Sequence, residues 1–366
     1  MCPVFRKNRP GSANCEQAFI SYRLAVYGQS FRSKAMSINF TMPVFNRYEA
    51  TQMALLALHK SGRDIPFTIT VVDNGSEKRL VERLRELHQA GIIDKLFLLE
   101  RNMGIACACN IGWEMSASAD FYCKIDNDTM PVRPDWIPEL FRVWRHGAAL
   151  SNLGYSLSDN SSHKRLLQTP DGSLGVCETT LPGTGIFIPK AVSDILGYWN
   201  EEYGRYGSED GDYGMRMLFT GFPQYCYYYK DYIRFDLDKK GAEAKYAEHG
   251  LNKKSEKSLD KVGRDGYFGR FGINSFLFNN CIRSPRVCRK YRIVDIDDNN
   301  QVRLAKTEEF KVVDSALKEC RRLIMQAHLE RGELVFHDLA LHEQLKQIMR
   351  DCGQDMDSFN RVAGRN

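Results

Sequence analysis

The sequence predicts an α/β fold, a mainly parallel sheet with helices on both faces. Three observations predict it. Short apolar strands alternate with helical segments from residue 37 to residue 126, as parallel strands joined by crossover helices require. Polar clusters stand where strands end, at "PVFNR" (43–47), "DNGS" (73–76) and "DND" (126–128), the edge at which open α/β sheets place ligands. At 366 residues, the chain can bury a large core in one domain or two.

Residues 1–36 carry no clear period and read as a loosely held tail; Met36 leads straight into a strand, so translation could begin there. "SINFTMPV" (37–44) reads as the first strand, and "RYEATQMALLALHKSG" (47–62) as a helix that stops at glycine. "FTITVVDNGS" (67–76) is a strand running into a turn, "EKRLVERLRELHQAG" (77–91) an amphipathic helix, and "KLFLLE" (95–100) a third strand. "NMGIACACNIGWEMSAS" (102–118) is a helix of small residues, and "FYCKI" (121–125) the fourth strand. Further on, "TTLPGTGIFIPK" (179–190) reads as glycine-rich loop, strand and helix start. "GSEDGDYGMRMLFTGF" (207–222) opens a helix with Ser208 as cap and an acidic first turn. From Thr307 to about Cys352 the pattern is helical, within a C-terminal helical appendage taken as 286–366.

Composition excludes several classes. At 43% hydrophobic and 27% charged the chain is ordinary globular protein. No apolar run approaches a membrane span, and the N-terminus has no continuous apolar h-region. The 11 cysteines include no C-x-x-C pair, and Cys107 and Cys109 are too close for an easy bridge. Free thiols in a reducing cytoplasm are expected. The net charge is +5, but residues 230–290 hold 15 Lys or Arg against 8 Asp or Glu. Such a segment can cover phosphates, touch an anionic membrane at its inner face, or simply be solvated.

The carboxylates pose the chemical question. Asp126 and Asp128 follow an apolar strand, and residues i and i+2 of an extended chain face one side. Two hard oxygen ligands aimed at one point suit Mg²⁺ or Mn²⁺, with water and phosphate completing the shell. Alternatively Asp126 bonds a ribose while Asp128 holds the metal, or both cap an Asx-type turn. Asp210, at a helix start, could take a proton from an alcohol, which needs a positioned base to attack. Among the tryptophans, Trp199 stands nearest the acidic loop and is expected on the acceptor side.

In order, these pieces resemble the family 2 glycosyltransferases, mostly inverting enzymes of the GT-A fold. The matching stretches are "FTMPVFNR" (40–47), "ITVVDNGS" (69–76), "RNMGIACACNIG" (101–112), "YCKIDNDTM" (122–130) and the run from "PGTGIF" through "SEDGD" to Phe222. The resemblance implies a mixed, mainly parallel, Rossmann-like sheet over 37–285, with a nucleotide-binding half (37–130) and an acceptor half with a basic lid (131–285). It implies a nucleotide-diphosphosugar donor, by default a UDP-sugar, and a glycan, lipid-linked or protein acceptor. No nucleic-acid partner is expected. Carried over by position, Pro43, Phe45 and Asn46 line the base, Asp73 bonds a pyrimidine, and Arg101, Gly104 and Asn110 flank the nucleotide. Asp126, Asn127 and Asp128 match the D-x-D element that holds ribose and the metal–diphosphate. Gly183, Thr184 and Gly185 lie by the donor sugar. Asp210 is the base and Glu209 stands near the acceptor. Relatives often place a metal-binding His soon after the Glu-Asp helix; here Asp236 or His249 would have to substitute, or water. Lys253 and Lys254 are candidates for a lid over the diphosphate.

Two other readings compete. A sugar-nucleotide nucleotidyltransferase would carry a glycine-rich, basic loop after the first strand, and "PVFNRYEA" has none. A non-catalytic binding module would have no need of the four acids at 126, 128, 209 and 210.

Overall fold

The computed structural model describes residues 36–61, 65–144, 152–156, 164–169, 172–177, 181, 183–220, 224–228, 233–234, 242–250, 273–278, 289–331 and 338–354. The expected tail up to residue 35, Asp236, Lys253, Lys254 and most of 230–290 lie outside the described residues.

The alternation read from the N-terminal half is found. β1 (Ile38–Val44), β2 (Phe67–Asp73), β3 (Lys95–Leu98) and β4 (Phe121–Ile125) are interleaved with α1 (Tyr48–His59), α2 (Lys78–Gln89) and α3 (Ile105–Glu114). β1 pairs in parallel with both β2 and β4, and β2 with β3. Lying between two partners under helices, β1 is buried at all seven positions. α2 buries Leu80, Leu84 and Leu87, one stripe at helical spacing.

Beyond β4 the sheet becomes mixed. After the short strand β5 (Met130–Pro131) and α4 (Trp136–Trp144) come β6 (Asn152–Ser156), β7 (Lys164–Thr169), β8 (Gly172–Cys177), β9 (Gly185–Pro189) and β10 (Gln224–Tyr228). The nine strands run in the order β3-β2-β1-β4-β9-β6-β10-β8-β7. β9 is antiparallel to β4 and β6, while β10 is parallel to β6. Placing β9 beside β4 brings the loop before Gly185 against the end of β4, since Ile125 pairs with Gly185. α5 (Lys190–Leu196) follows β9, and α6 (Glu209–Phe219) carries the acidic first turn. Ser208 does not cap α6 as expected: its backbone is left-handed (φ 65°) and its side chain makes no cap hydrogen bond.

The C-terminal stretch departs from the all-helical expectation. Before its long helices α9 (Glu308–Arg331) and α10 (Leu339–Asp351) comes a hairpin of β11 (Tyr291–Ile296) and β12 (Val302–Lys306). The turn "DIDDNNQ" builds it: Asp297 Oδ1 accepts from the N–H groups of Asn299 and Gln301, and Asn300 takes φ 63°. The hairpin packs Val302 and Leu304 on Val72, Phe97 and α3 residues, and Leu98 N–H donates to Asn300 O at 2.8 Å. α9 and α10 bury Leu317, Ile324 and Leu345 with Tyr203 and with Phe276 of the short helix α8 (Ile273–Phe276).

Glu201 ties the hairpin to the core. One of its oxygens accepts from Asn110 Nδ2 at 2.6 Å and the other from the N–H groups of Lys290 and Tyr291 at 2.8 Å each. Burial pushes its carboxyl up to about 7 against these N–H donors, which pull it down. Folded Glu201 therefore holds its proton more tightly than in the unfolded chain. Its contribution to stability is present below the unfolded value near 4.5 and is lost as pH rises toward 7. His249, lowered to about 4 by burial, works with the opposite sign, adding stability as pH rises from 4 to 6.5. The comparison that isolates Glu201 is Glu201→Gln: between pH 5 and 7.5 its melting temperature should fall less steeply with pH than that of the wild type. Equal slopes by calorimetry would remove Glu201 as a titrating group.

Candidate active site

The site forms where β1, β2 and β4 end side by side. β1 and β2 are in register to Val44 and Asp73, and β4 runs on through Asp126. Just past β1, Asn46 and Arg47 both take left-handed backbone, φ 55° and 61°. Asn adopts this readily; Arg does so at a cost of order 1 kcal/mol and persists where surroundings over-determine it. The turn sends the Arg47 side chain back over the end of β4.

A cavity of about 140 Å³ opens here. Pro43, Phe45, Asn127 and Thr184 line it, as do Asp126, Asp128 and His249. Arg47, Asn74, Tyr206 and Lys245 also face it; the first two belong to the strand-end clusters "PVFNR" and "DNGS", whereas Tyr206 and Lys245 lie outside every such cluster. Lys245 stands on α7 (Ala242–Glu248), inside the basic stretch.

The two D-x-D carboxylates are neutralised by lysine and arginine. Lys124, 2% exposed, donates from Nζ to Asp126 Oδ1 at 2.8 Å and to Gly183 O at 2.9 Å, and lies 3.8 Å from Glu209 Oε1. Burial alone would lower its ammonium group's pKa; Asp126, then Glu209, outweigh that and raise it well above the usual lysine value. Arg47 Nη1 and Lys245 Nζ both donate to Asp128 Oδ2, at 2.8 and 3.1 Å. Burial and the nearby Asp126 push the Asp128 carboxyl up, while Lys245 and Arg47 pull it down. Lys124 was legible in principle: a lysine inside the buried run "FYCKI" must have partners.

Lys124 also joins the donor edge to the Glu-Asp pair. Gly183, whose carbonyl it holds, donates its N–H to Asp210 Oδ2 at 2.9 Å, and Gly211 N–H reaches Asp210 Oδ1 at 2.7 Å. A Cβ at Gly183 would stand 2.5 Å from Lys124 Nζ and 3.2 Å from Asp210 Oδ2, so a larger residue would displace the Lys124 ammonium group from its partners. Asp210 is half-buried and Glu209 is buried, and neither is among the residues that line the cavity. The Glu209 carboxyl is raised to about 7, by burial first and Asp210 next.

Other expected residues stand elsewhere. Asn110 sits in the core, where its side chain bonds the N–H and carbonyl of Trp199 and the Glu201 carboxylate. Trp199 is fully buried against Trp113 and Tyr213, so it cannot meet an acceptor. Both lie there because small residues on α3 let the helix pack closely on this aromatic cluster. Arg101 is exposed. Gly104 (φ 101°) allows a backbone crossing: a Cβ would come within 2.0 Å of Gly204 O. Asn46 caps the neighbouring turn through Glu77 N–H. Asp73 Oδ2 accepts from Gly75 and Ser76 N–H, whereas its buried Oδ1 has no hydrogen-bond partner among the described residues.

His249 reaches the cavity as an aromatic wall. Its ring stacks on Tyr206, centroids 4.4 Å apart, and lies 5.1 Å from Phe45. Asn102 Oδ1 accepts from Gly104 N–H, which turns its Nδ2 toward His249 Nδ1 at 3.1 Å. Nδ1 is then the acceptor and Nε2 carries the proton, which disfavours His249 as a metal ligand. Among the described residues no group of three His, Cys, Asp or Glu could hold a metal ion. Two hard carboxylates on one turn, with water and phosphate completing the shell, still fit Mg²⁺ or Mn²⁺.

Residues 40–178 match the family described as Glycosyl transferase family 2. No curated protein matches the chain. Among solved structures, S. aureus TarS is 17% identical with a TM-score of 0.42, over 58% of this chain and 38% of that one. S. aureus TarS 1-349 in complex with UDP-GlcNAc is also 17% identical, TM-score 0.41, over 58% and 64%. These matches span less than two thirds of either TarS chain. The mannosyltransferase PcManGT from Pyrobaculum calidifontis, in complex with GDP-Man and Mn²⁺, is 12% identical, TM-score 0.45, over 96% and 95%.

Proposed function

We propose, for a chain whose residues 40–178 match the Glycosyl transferase family 2 model, that it is an inverting glycosyltransferase. It would move a sugar from a nucleotide-diphosphosugar, by default a UDP-sugar, to an acceptor hydroxyl. The observation that carries this reading is the joining of two acid pairs at one sheet edge: Lys124 bonds Asp126 and Gly183, and Gly183 bonds Asp210.

Each residue has a stated task. The nucleoside base would lie against the Phe45, His249 and Tyr206 rings, with Asp73 Oδ1, which has no hydrogen-bond partner among the described residues, at the end of β2 to accept a base N–H. Asp126 and Asp128 would hold ribose and Mn²⁺ or Mg²⁺. When bound, that ion supplies Lewis-acid compensation for charge gathering on the leaving diphosphate. Thr184, whose Oγ lacks a partner among the described residues, faces the cavity where the sugar would lie. Asp210, fixed by two backbone N–H groups, would take the acceptor's proton as its oxygen attacks the anomeric carbon from the far side. Displacement from that side inverts the centre in one step. Among the described residues, no helix is long and apolar enough to cross a membrane.

The test is nucleotide binding. UDP, TDP and GDP should be compared by thermal shift, with Mn²⁺ and with EDTA. One nucleoside diphosphate at a hundred times its Kd should stabilise the fold by about 2.7 kcal/mol. No shift with any of the three, Mn²⁺ present, rejects the donor assignment.

A further inference from the structure

Asp128 presents a difficulty for the ion it is expected to hold. Its Oδ2 is shared by Arg47 Nη1 at 2.8 Å and Lys245 Nζ at 3.1 Å. The Asp128 side chain is 4% exposed, and those of Arg47 and Lys245 are 7% and 13% exposed. Arg47 is further steadied by Glu248 Oε2 at 3.3 Å. A divalent cation approaching that oxygen would meet two positive groups already seated on it, in a partly desolvated pocket where like charges repel strongly. The same two cations line the cavity that would take the diphosphate, and phosphate oxygens compete well with a carboxylate for arginine and lysine.

We propose that Arg47 and Lys245 are the diphosphate's own cationic contacts, and that in the nucleotide-free protein they lock Asp128 against the metal. An incoming diphosphate draws the two side chains onto its oxygens and frees Asp128 in the same movement. Metal and nucleotide then bind as a pair, and the nucleotide-free protein holds the ion only weakly. This inference rests on the donor reading above and adds to it two residues and an order of events. Lys245 also gives the basic stretch 230–290 one definite task, since it stands 117 positions from Asp128 in the chain yet meets it in space.

The experiment measures two affinities separately, each without the other ligand. Mn²⁺ alone is titrated into the protein and followed by its paramagnetic resonance signal. The nucleoside diphosphate that gives the largest thermal shift is titrated calorimetrically in EDTA. Lys245→Met should bind Mn²⁺ alone about tenfold more tightly than wild type, and the nucleotide in EDTA about tenfold more weakly. Arg47→Met should move both affinities in the same directions, and Lys245→Arg, which keeps the charge, should resemble wild type. A merely structural loss would weaken both ligands together. Unchanged affinities, or a shift of both in one direction, overturn the lock. Nucleotide binding to none of the proteins, even with Mn²⁺, overturns the donor reading as well, and so is told apart from failure of the lock alone.

Discussion

Asp210→Asn should lower turnover by about 10²–10⁴-fold, the usual contribution of a positioned base, while leaving nucleotide affinity within about twofold of wild type. The substitution keeps the shape and loses proton affinity. Asn can still accept from one backbone N–H through its Oδ1, so the loop at Gly183 should hold its place. The other contact, an amide NH₂ facing an N–H, is lost, and a small fall in melting temperature is expected with it. The acceptor hydroxyl would then have no group to receive its proton as it attacks. Turnover is read as sugar transfer, or as donor hydrolysis when the acceptor is unknown. Unchanged turnover would move the base elsewhere, and an equal loss of nucleotide affinity would show that Asp210 serves binding.

Lys124→Met carries the second large effect, and it falls on stability and activity together. Met matches the length of the lysine stem but brings no charge. Asp126 keeps partial solvent access, whereas Glu209 is left buried beside Asp210 with its cationic neighbour gone. Breaking a buried ion pair from one side costs about 3–5 kcal/mol, and the exposed share of Asp126 lowers the expected loss to about 3 kcal/mol. Turnover should fall by about 100-fold or more, because Asp126 and the Gly183–Asp210 loop lose the group that spaces them. The double variant Lys124→Met/Glu209→Gln separates the two effects. Removing the uncompensated carboxylate should return part of the stability, as read by denaturant unfolding, without returning turnover. Full recovery of turnover in the double variant would show that Lys124 only neutralises Glu209 and positions nothing.

The elements of the N-terminal half were legible because their signals are local. Alternating apolar residues, the stripe Leu80–Leu84–Leu87 and the turn residues after Val72 each report on a few neighbours in the chain. The meeting of the polar clusters at one edge follows from parallel pairing, which such strands impose. The hairpin at 291–306 is equally local in origin, with its Asp-Asn turn, but its short strands carry a weaker pattern than the long helices that follow them.

The electrostatics were not legible in this way. Arg47, Lys124 and Lys245 find their partners 81, 2 and 117 positions away, and only the 2-residue separation lies within reach of a local pattern. Asn110 and Trp199 look like site residues by position, yet the fold turns them toward each other in the core. Local patterns along the chain specify the parallel half-sheet, its polar carboxyl edge and the residue types gathered there, because backbone periodicity is a short-range property. Which acid meets which base emerges once distant segments have packed together. Charge pairing depends on distances between segments far apart in the chain, and the placement of β9 and α7 beside β4 sets those distances.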